Sequence, residues 1–464
     1  MNIKLSSVLI FTAVGLASHV TAQSNAIKQS TPEHIYPTFR DVLKLAEEHS
    51  LRYEKLDINL LNAQYSREIS LSNKRPSINL STGLGAYWSN YEDSRGETEG
   101  VQFGVNDLSL STSYSLYTWG AKSAGHRATE RNFERFLIEY ERQMSSIARD
   151  LRTRFLQLIM DKFAIKTLEL EVAINQANIN EDTIRYEQGR LSAENYERSM
   201  NSRKSRMLDL ENMRRNIDRA IEDFNIAIGV DNALTLDDIP TSVPSIGNIN
   251  DQLIAMARQS ENQRYMDIPR VLQAQIDVDN AEEGIIQAKS RTRPSIWLSG
   301  GVNLDVEPTQ GNQRVIAFRG GLGVNWNIYS GGANTRYVLR ALNDRTVQLA
   351  DYHDLIRRTK IDLDRNVEDL LYNYNKLEIA ESEYQLALQS YEKSKDEYER
   401  GRVSDLQFMH VELNRLYQER AIYNTRRQYM IAVTDFLATL GKDPVLEILT
   451  RPEEKDLSHL TAKH

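Results

Sequence analysis

The phrase "YERGRVSDL", Tyr398–Leu406, has an echo 212 residues earlier in "YEQGRLSAE", Tyr186–Glu194. In each, a glycine is followed three positions later by a serine. Glycine adopts the left-handed backbone that closes a helix, and serine caps the next one. Ser404 and Gln407 also have capping-box spacing. Both phrases therefore predict tips of helical hairpins.

The chain on either side supports this reading. Leu342, Leu349, Ile356, Leu363, Leu370, Leu377, Tyr384, Tyr391 and Tyr398 recur every seven residues. The first copy answers, 212 residues earlier, with Leu137, Met144, Leu151, Leu158, Ile165, Val172, Ile179 and Tyr186. Such a seam predicts left-handed coiled-coil packing. From Ala121 to Tyr186 one helix would reach ~100 Å at ~1.5 Å per residue. Facing positions mix Val367, Tyr374 and Leu388 with Thr346, His353, Lys360 and Glu381, so the dry seam is narrow and the rest is a wetted wall. Returning helices carry Leu210, Ile217, Ile221, Phe224 and Ile228, then Met409, Leu416, Tyr423, Met430 and Leu437.

Further marks show how far the duplication extends. "RPSINLS" at Arg75 returns as "RPSIWLS" at Arg293, and Gly120 matches Gly332. Gly120 to Gly189 and Gly332 to Gly401 both span 69 residues; Gly189 to Gly229 and Gly401 to Gly441 both span 40. Each copy also holds a pair of alternating segments. Ile78, Leu80, Thr82, Leu84, Ala86 and Trp88 share one face, while Ser77, Asn79, Ser81, Gly83 and Gly85 share the other. "NDLSLSTSYSLYT", "SIWLSGGVNLDV" and "GLGVNWNIY" repeat the pattern. These are hairpins with one apolar face, close to the ~9–11 residues of a tilted membrane strand.

The expected organisation is a signal peptide over 1–22, a first repeat over 23–240, a linker over 241–250, a second repeat over 251–441 and a loosely held polar tail over 442–464. Strands are expected at about 76–88, 106–117, 294–306 and 315–329, and long helices at about 121–186, 193–229, 333–398 and 404–441. Shorter helices precede the strands, Thr38 to Ser72 and Asn250 to Ser290, the second interrupted near Pro269. Lys4, the apolar run "LSSVLIFTAVGLA" and the small residues Val20-Thr21-Ala22 read as a cleaved export signal.

Several classes of function are excluded or disfavoured. With no cysteine in 464 residues there is no disulfide, thiolate metal site, thiol nucleophile or cysteine for lipid attachment. A net charge of -8 without a basic stripe argues against nucleic acid. Gly83-x-Gly85 and Gly321-x-Gly323 lie within strands, not phosphate loops. The eight histidines form no ligand pair, no nucleophile–base arrangement stands out, and neither enzyme activity nor a cofactor or metal is expected.

Four strands cannot close a membrane barrel, since the smallest have about eight. Two copies of strand hairpin plus long helical hairpin, "RPSI" opening each strand pair, "IYSGGANTR" leading into a long helix and Tyr-x-x-Gly tips with a serine cap together resemble the TolC family of outer-membrane efflux and secretion ducts. The likeness runs from about Thr38 to Lys442. It implies a mainly helical fold with membrane β-strands, trimeric, with a twelve-strand barrel in the outer membrane and a twelve-helix tunnel in the periplasm. It also implies a periplasmic adaptor and an inner-membrane ABC or RND transporter as partners, and passage of proteins or small toxic molecules without chemistry.

By position, the resemblance assigns Tyr398 and its counterpart Tyr186 to the periplasmic gate, with Asn195, Gln407 and His410. Well-known members carry aspartates six and nine positions past the second-copy glycine, where this chain has Gln407 and His410. Such an entrance is expected to be near neutral at pH 7 and more cationic in acid, and it inclines the reading towards protein secretion. Gly189, Arg190, Leu191, Gly401, Arg402 and Val403 fall where adaptor hairpins dock. Gly120, Gly331 and Gly332 mark strand-to-helix turns; Trp88, Tyr114, Trp326 and Tyr329 are the expected lipid-interface aromatics. The competing reading is a periplasmic or secreted coiled-coil scaffold without a channel.

Overall fold

Uninterrupted heptads with no proline and almost no glycine make very long helices, and a computed structural model contains two of 67 residues each. It describes residues 27, 30–87, 102–263, 265–307, 313–452, 454, 455 and 457. In order, the elements are α1 Pro32–Ile35, α2 Pro37–His49, α3 Leu51–Ser72, β1 Ser77–Tyr87, β2 Gln102–Tyr117, α4 Ala121–Glu187 and α5 Ala193–Ile228. The second half repeats them as α6 Asn250–Asn262, α7 Pro269–Ser290, β3 Ser295–Glu307, β4 Gln313–Asn325, α8 Ala333–Glu399 and α9 Asp405–Thr439, followed by α10 Val445–Ile448. None of the described helices is long and apolar enough to cross a membrane. The expected signal segment, 1–22, lies outside the described residues.

Two compact units emerge: 1–60 with 137–272 and 356–464, and 61–136 with 273–355. The first is helical. Its core is built where α4 meets the N-terminal helices: Phe155 packs on Tyr36, Phe39 and Phe224, with ring centroids 5.6, 4.9 and 6.3 Å apart. Burying such rings stabilises by roughly 1.5–3 kcal/mol each. In the same unit, Phe163 meets Tyr423 edge-on at 5.1 Å and Tyr374 meets Tyr429 at 5.7 Å.

Two expectations change here. The helix expected from Thr38 to Ser72 breaks at Ser50, which is extended (φ -73°, ψ 129°). Its hydroxyl donates to the Ala227 carbonyl at 2.8 Å and accepts from the Arg52 amide at 3.4 Å, replacing helical bonds. The close approach of Gly229 fixes the same place, since a Cβ there would lie 2.2 Å from the His49 oxygen. The described part of the C-terminal tail is held, not loose. Asp443 is buried and accepts from Arg152 at 2.9 Å, the Thr450 amide bonds Glu47 at 3.1 Å, and Lys455 pairs with Asp57 at 2.9 Å.

The second unit contains an antiparallel sheet in the order β1-β2-β3-β4. Its register sets Leu80 beside Leu110, Leu110 beside Val302 and Val302 beside Phe318 on one face. Ser81 pairs with Ser109, Ser113 with Ser299 and Ser299 with Gly321 on the other. Period-two alternation thus yields one apolar and one small, polar face. β4 stops at Asn325, short of the expected 329, because its partner begins at Ser295 and the preceding Pro294 has no N–H for the ladder. β1 ends at Tyr87, and Trp88 lies outside the described residues.

Candidate functional site

The hairpin tips in the helical unit are two copies of one backbone device. Gly189 (φ +69°) and Gly401 (φ +68°) are left-handed, and the next amides, Arg190 and Arg402, reach back to the carbonyls of Arg185 and Glu397 at 2.8 and 2.9 Å. These are Schellman closures. Ser192 and Ser404 then cap the returning helices through the amides of Asn195 and Gln407, both at 3.3 Å. A Cβ on either glycine would meet nothing within 4 Å. Glycine is needed there for its backbone angle alone, and the surface around it is open.

The side chains differ from what gate residues alone suggest. Gln407 turns its amide oxygen back to the Ser404 amide at 3.2 Å, completing the capping box, while His410 and Asn195 are exposed. The Tyr398 ring stacks on Phe408 with centroids 4.7 Å apart, and its hydroxyl bonds Asp405, which raises the phenol pKa. The Tyr186 ring stacks on Tyr196 at 4.9 Å. Each expected gate tyrosine is therefore stacked within its own hairpin. Arg190 and Arg402 are exposed, with Leu191 and Val403 half-buried beside them.

Tyr196 and Phe408 were not singled out from sequence. The available signal was spacing: each lies ten positions after its tyrosine, in both copies. Below the tips, Tyr417 donates to Glu171 at 2.7 Å, joining α9 to α4, with its phenol raised by burial and by that bond.

The strand-to-helix turns lie in the other unit. Gly120 (φ +81°), Gly331 (φ +64°) and Gly332 (φ +82°) are left-handed. Trp119 occupies the place of Gly331 and is left-handed too, at φ +53°. Its indole N–H donates to the Pro294 carbonyl at 2.7 Å and Arg293 lies over its ring, contacts that offset the backbone cost. Tyr114 sits on the apolar face opposite Leu298. Trp326 and Tyr329, beyond the strand, are 53% and 84% exposed, and Trp326 donates to the Thr292 carbonyl at 3.2 Å. Trp297 occupies the polar face, covering Gly323 so closely that a Cβ would lie 2.3 Å from the ring.

A duplicated hairpin fold with this sheet also appears in known proteins. The family model for outer membrane efflux proteins matches residues 42–230 and 267–442. The chain belongs to that family. Its members are outer-membrane efflux channels, not enzymes. Among solved structures, the CmeC outer membrane channel of Campylobacter jejuni is 15% identical, with 91% of this chain and 90% of that chain covered and a TM-score of 0.67. VceC of Vibrio cholerae is 14% identical, with 87% and 96% covered and a TM-score of 0.62. MtrE of Neisseria gonorrhoeae, in its open state, is 15% identical, with 88% and 91% covered and a TM-score of 0.61. These likenesses establish the family's fold for this chain. Comparison with curated protein sequences gives no match.

Proposed function

We propose that the chain is the outer-membrane exit duct of a tripartite export system, acting as a homotrimer. The observation that carries this is the sheet: four strands, open edges at β1 and β4, and an apolar face that the chain leaves uncovered. Ile78, Leu80, Phe318 and Leu322 are each at least 70% exposed. Lipid accepts such a face, but backbone edges in lipid must be paired. Three copies joined edge to edge give a twelve-strand barrel, lined by the serine and glycine face. The long helices then form the twelve-helix periplasmic tunnel.

At the tips, the open space around Gly189 and Gly401, with Arg190, Leu191, Arg402 and Val403, supports docking of a periplasmic adaptor linked to an inner-membrane transporter. Tyr186, Asn195, Tyr398, Gln407 and His410 form the entrance. Gln407 is held in its cap, and His410 is the exposed imidazole of this set. The family description supports efflux of small toxic molecules. The entrance lacks the expected aspartates, and this motivates protein secretion as a second cargo class.

Single-channel recording from the trimer in a planar bilayer tests the duct. A small, stable conductance that changes in His410→Ala is expected. Membrane-inserted trimers that never conduct, even with adaptor present, would leave a scaffold instead. Deleting the gene separates the cargoes: drug hypersensitivity with an unchanged secreted proteome rejects the secretion reading.

A further inference from the structure

The charge of the segments that join helices to strands is one-sided. Residues 72–77, 115–127, 289–297 and 323–337 contain eight lysines and arginines and no aspartate or glutamate. The sequence 88–101, between the β1 and β2 segments, carries four acids and one arginine. We propose that the basic segments form a collar that binds the phosphate headgroups of anionic phospholipids in the leaflet facing the helices. This rests on the sheet lying in the membrane, as proposed above.

Lys74, Arg75, Lys289, Arg291, Arg293 and Arg336 are exposed, and none pairs with a carboxylate among the described residues. From the collar's edge outward the pattern reverses: Arg127 pairs with Glu283 at 2.6 Å, Arg67 with Glu130 at 2.8 Å and Arg345 with Glu282 at 2.8 Å. The unpaired guanidiniums are also positioned. Arg293 lies 4.8 Å above the Trp119 ring and Arg291 4.6 Å above the Tyr337 ring. Stacking holds each planar fork in place while leaving its N–H donors free for a phosphate.

The neighbouring surface selects a lipid over a soluble polyanion. The collar adjoins the uncovered apolar sheet face through Trp326, Ile328 and Tyr329, which are 53%, 77% and 84% exposed. Aromatic rings with a polar handle settle at headgroup depth, and acyl chains would lie along the sheet. A cluster of cations at that depth meets the negative potential of an anionic leaflet.

The test is quenching of tryptophan fluorescence in the full-length protein by brominated phosphatidylglycerol against brominated phosphatidylcholine, with insertion checked separately by vesicle flotation. The wild type is expected to prefer phosphatidylglycerol, and high salt to weaken the preference. Arg75→Gln, Arg291→Gln and Arg293→Gln combined should reduce it by about fivefold per charge removed. Lysine at the same three positions should retain most of it, and Arg340→Gln, outside the collar, all of it. The single Arg75→Gln variant is read on the same scale, so the outcome does not depend on the triple variant folding. Equal quenching by both lipids in inserted wild type, or a preference unchanged in the glutamine variants, overturns the collar. Loss of the preference to millimolar inorganic phosphate at constant ionic strength would mean a free-anion site and also overturns it. Failure to insert into either vesicle would instead overturn the membrane reading beneath it.

Discussion

The long helices α4 and α8 occupy equivalent places in the two copies, yet their flanks are covered differently. Their seams agree: Leu151 and Leu363 are buried, as are Leu158 and Leu370. Their flanks do not. Arg152 is 1% exposed and bonds both Glu33 and Asp443, whereas Asp364, at the same position 212 residues later, is exposed. Phe155, Ile159 and Phe163 are buried, but their counterparts are Val367, Leu371 and Asn375, with Leu371 38% exposed. The duplicated part of the sequence builds the seam, and the terminal segments around α1 and α10, which the second copy does not repeat, supply the acids on Arg152 in one copy alone.

The largest test of this asymmetry is Arg152→Met. Two carboxylates share this one guanidinium in a site closed to water, and burial pushes the Asp443 carboxyl upward against the pull of Arg152. Removing the cation strands both acids and should cost about 3–5 kcal/mol. Asp364→Asn, its counterpart, should stay within about 0.5 kcal/mol. Chemical unfolding of the helical unit, followed by circular dichroism in detergent, reads both. Equal effects would refute the claim that the termini set the two helices apart.

Next in size is the pair Gly229→Ala and Gly189→Ala. Both positions are left-handed, so each substitution carries about 1–2 kcal/mol of backbone cost. Only Gly229 has a neighbour in the way, the His49 carbonyl, and crowding there adds about 1–3 kcal/mol. Thermal unfolding should therefore separate the variants, with Gly229→Ala the lower.

What was legible in the sequence follows the same division. The heptads from Leu342 to Tyr398, the tip glycines and the alternating strands are local patterns, and each maps onto α8, Gly401 or β1–β4. The break at Ser50 was not legible, because its partner, the Ala227 carbonyl, lies 177 residues away. Nor was the anchored tail: Lys455 carries no local sign that Asp57 and Glu47 await it. At the tips the closing glycines and capping serines were readable from spacing, whereas the stacking of Tyr398 on Phe408 depends on how the returning helix is aimed.

A smaller effect is expected at the tips themselves. The first is braced by polar bonds across the hairpin, Ser199 to Asp182 at 2.5 Å and Ser202 to Asn175 at 3.2 Å. The second has Ser394 and Val411 where Asp182 and Ser199 stand, and relies on Phe408 packed between Tyr391 and Tyr398. Phe408→Ala should loosen the second tip by about 1–2 kcal/mol. Hydrogen exchange should rise at amides 395–412 and stay unchanged around Gly189. A rise at both tips would mean that they do not move independently.

The smallest difference is electrostatic and lies in the strand-bearing unit. Glu283 is buried, and its counterpart in the first copy is the half-exposed Tyr65. Bonds from Arg127 and Arg131 hold the Glu283 carboxyl below the ordinary range, with burial opposing them. Because the folded value lies below the unfolded one, this contribution is fully present above the ordinary glutamate pKa of about 4.3 and is lost as the pH falls through the folded value. Melting of the wild type should therefore shift downward below about pH 4, and Glu283→Gln should flatten that part of the curve. An unchanged slope would mean that Arg127 and Arg131 do no more for Glu283 than water does.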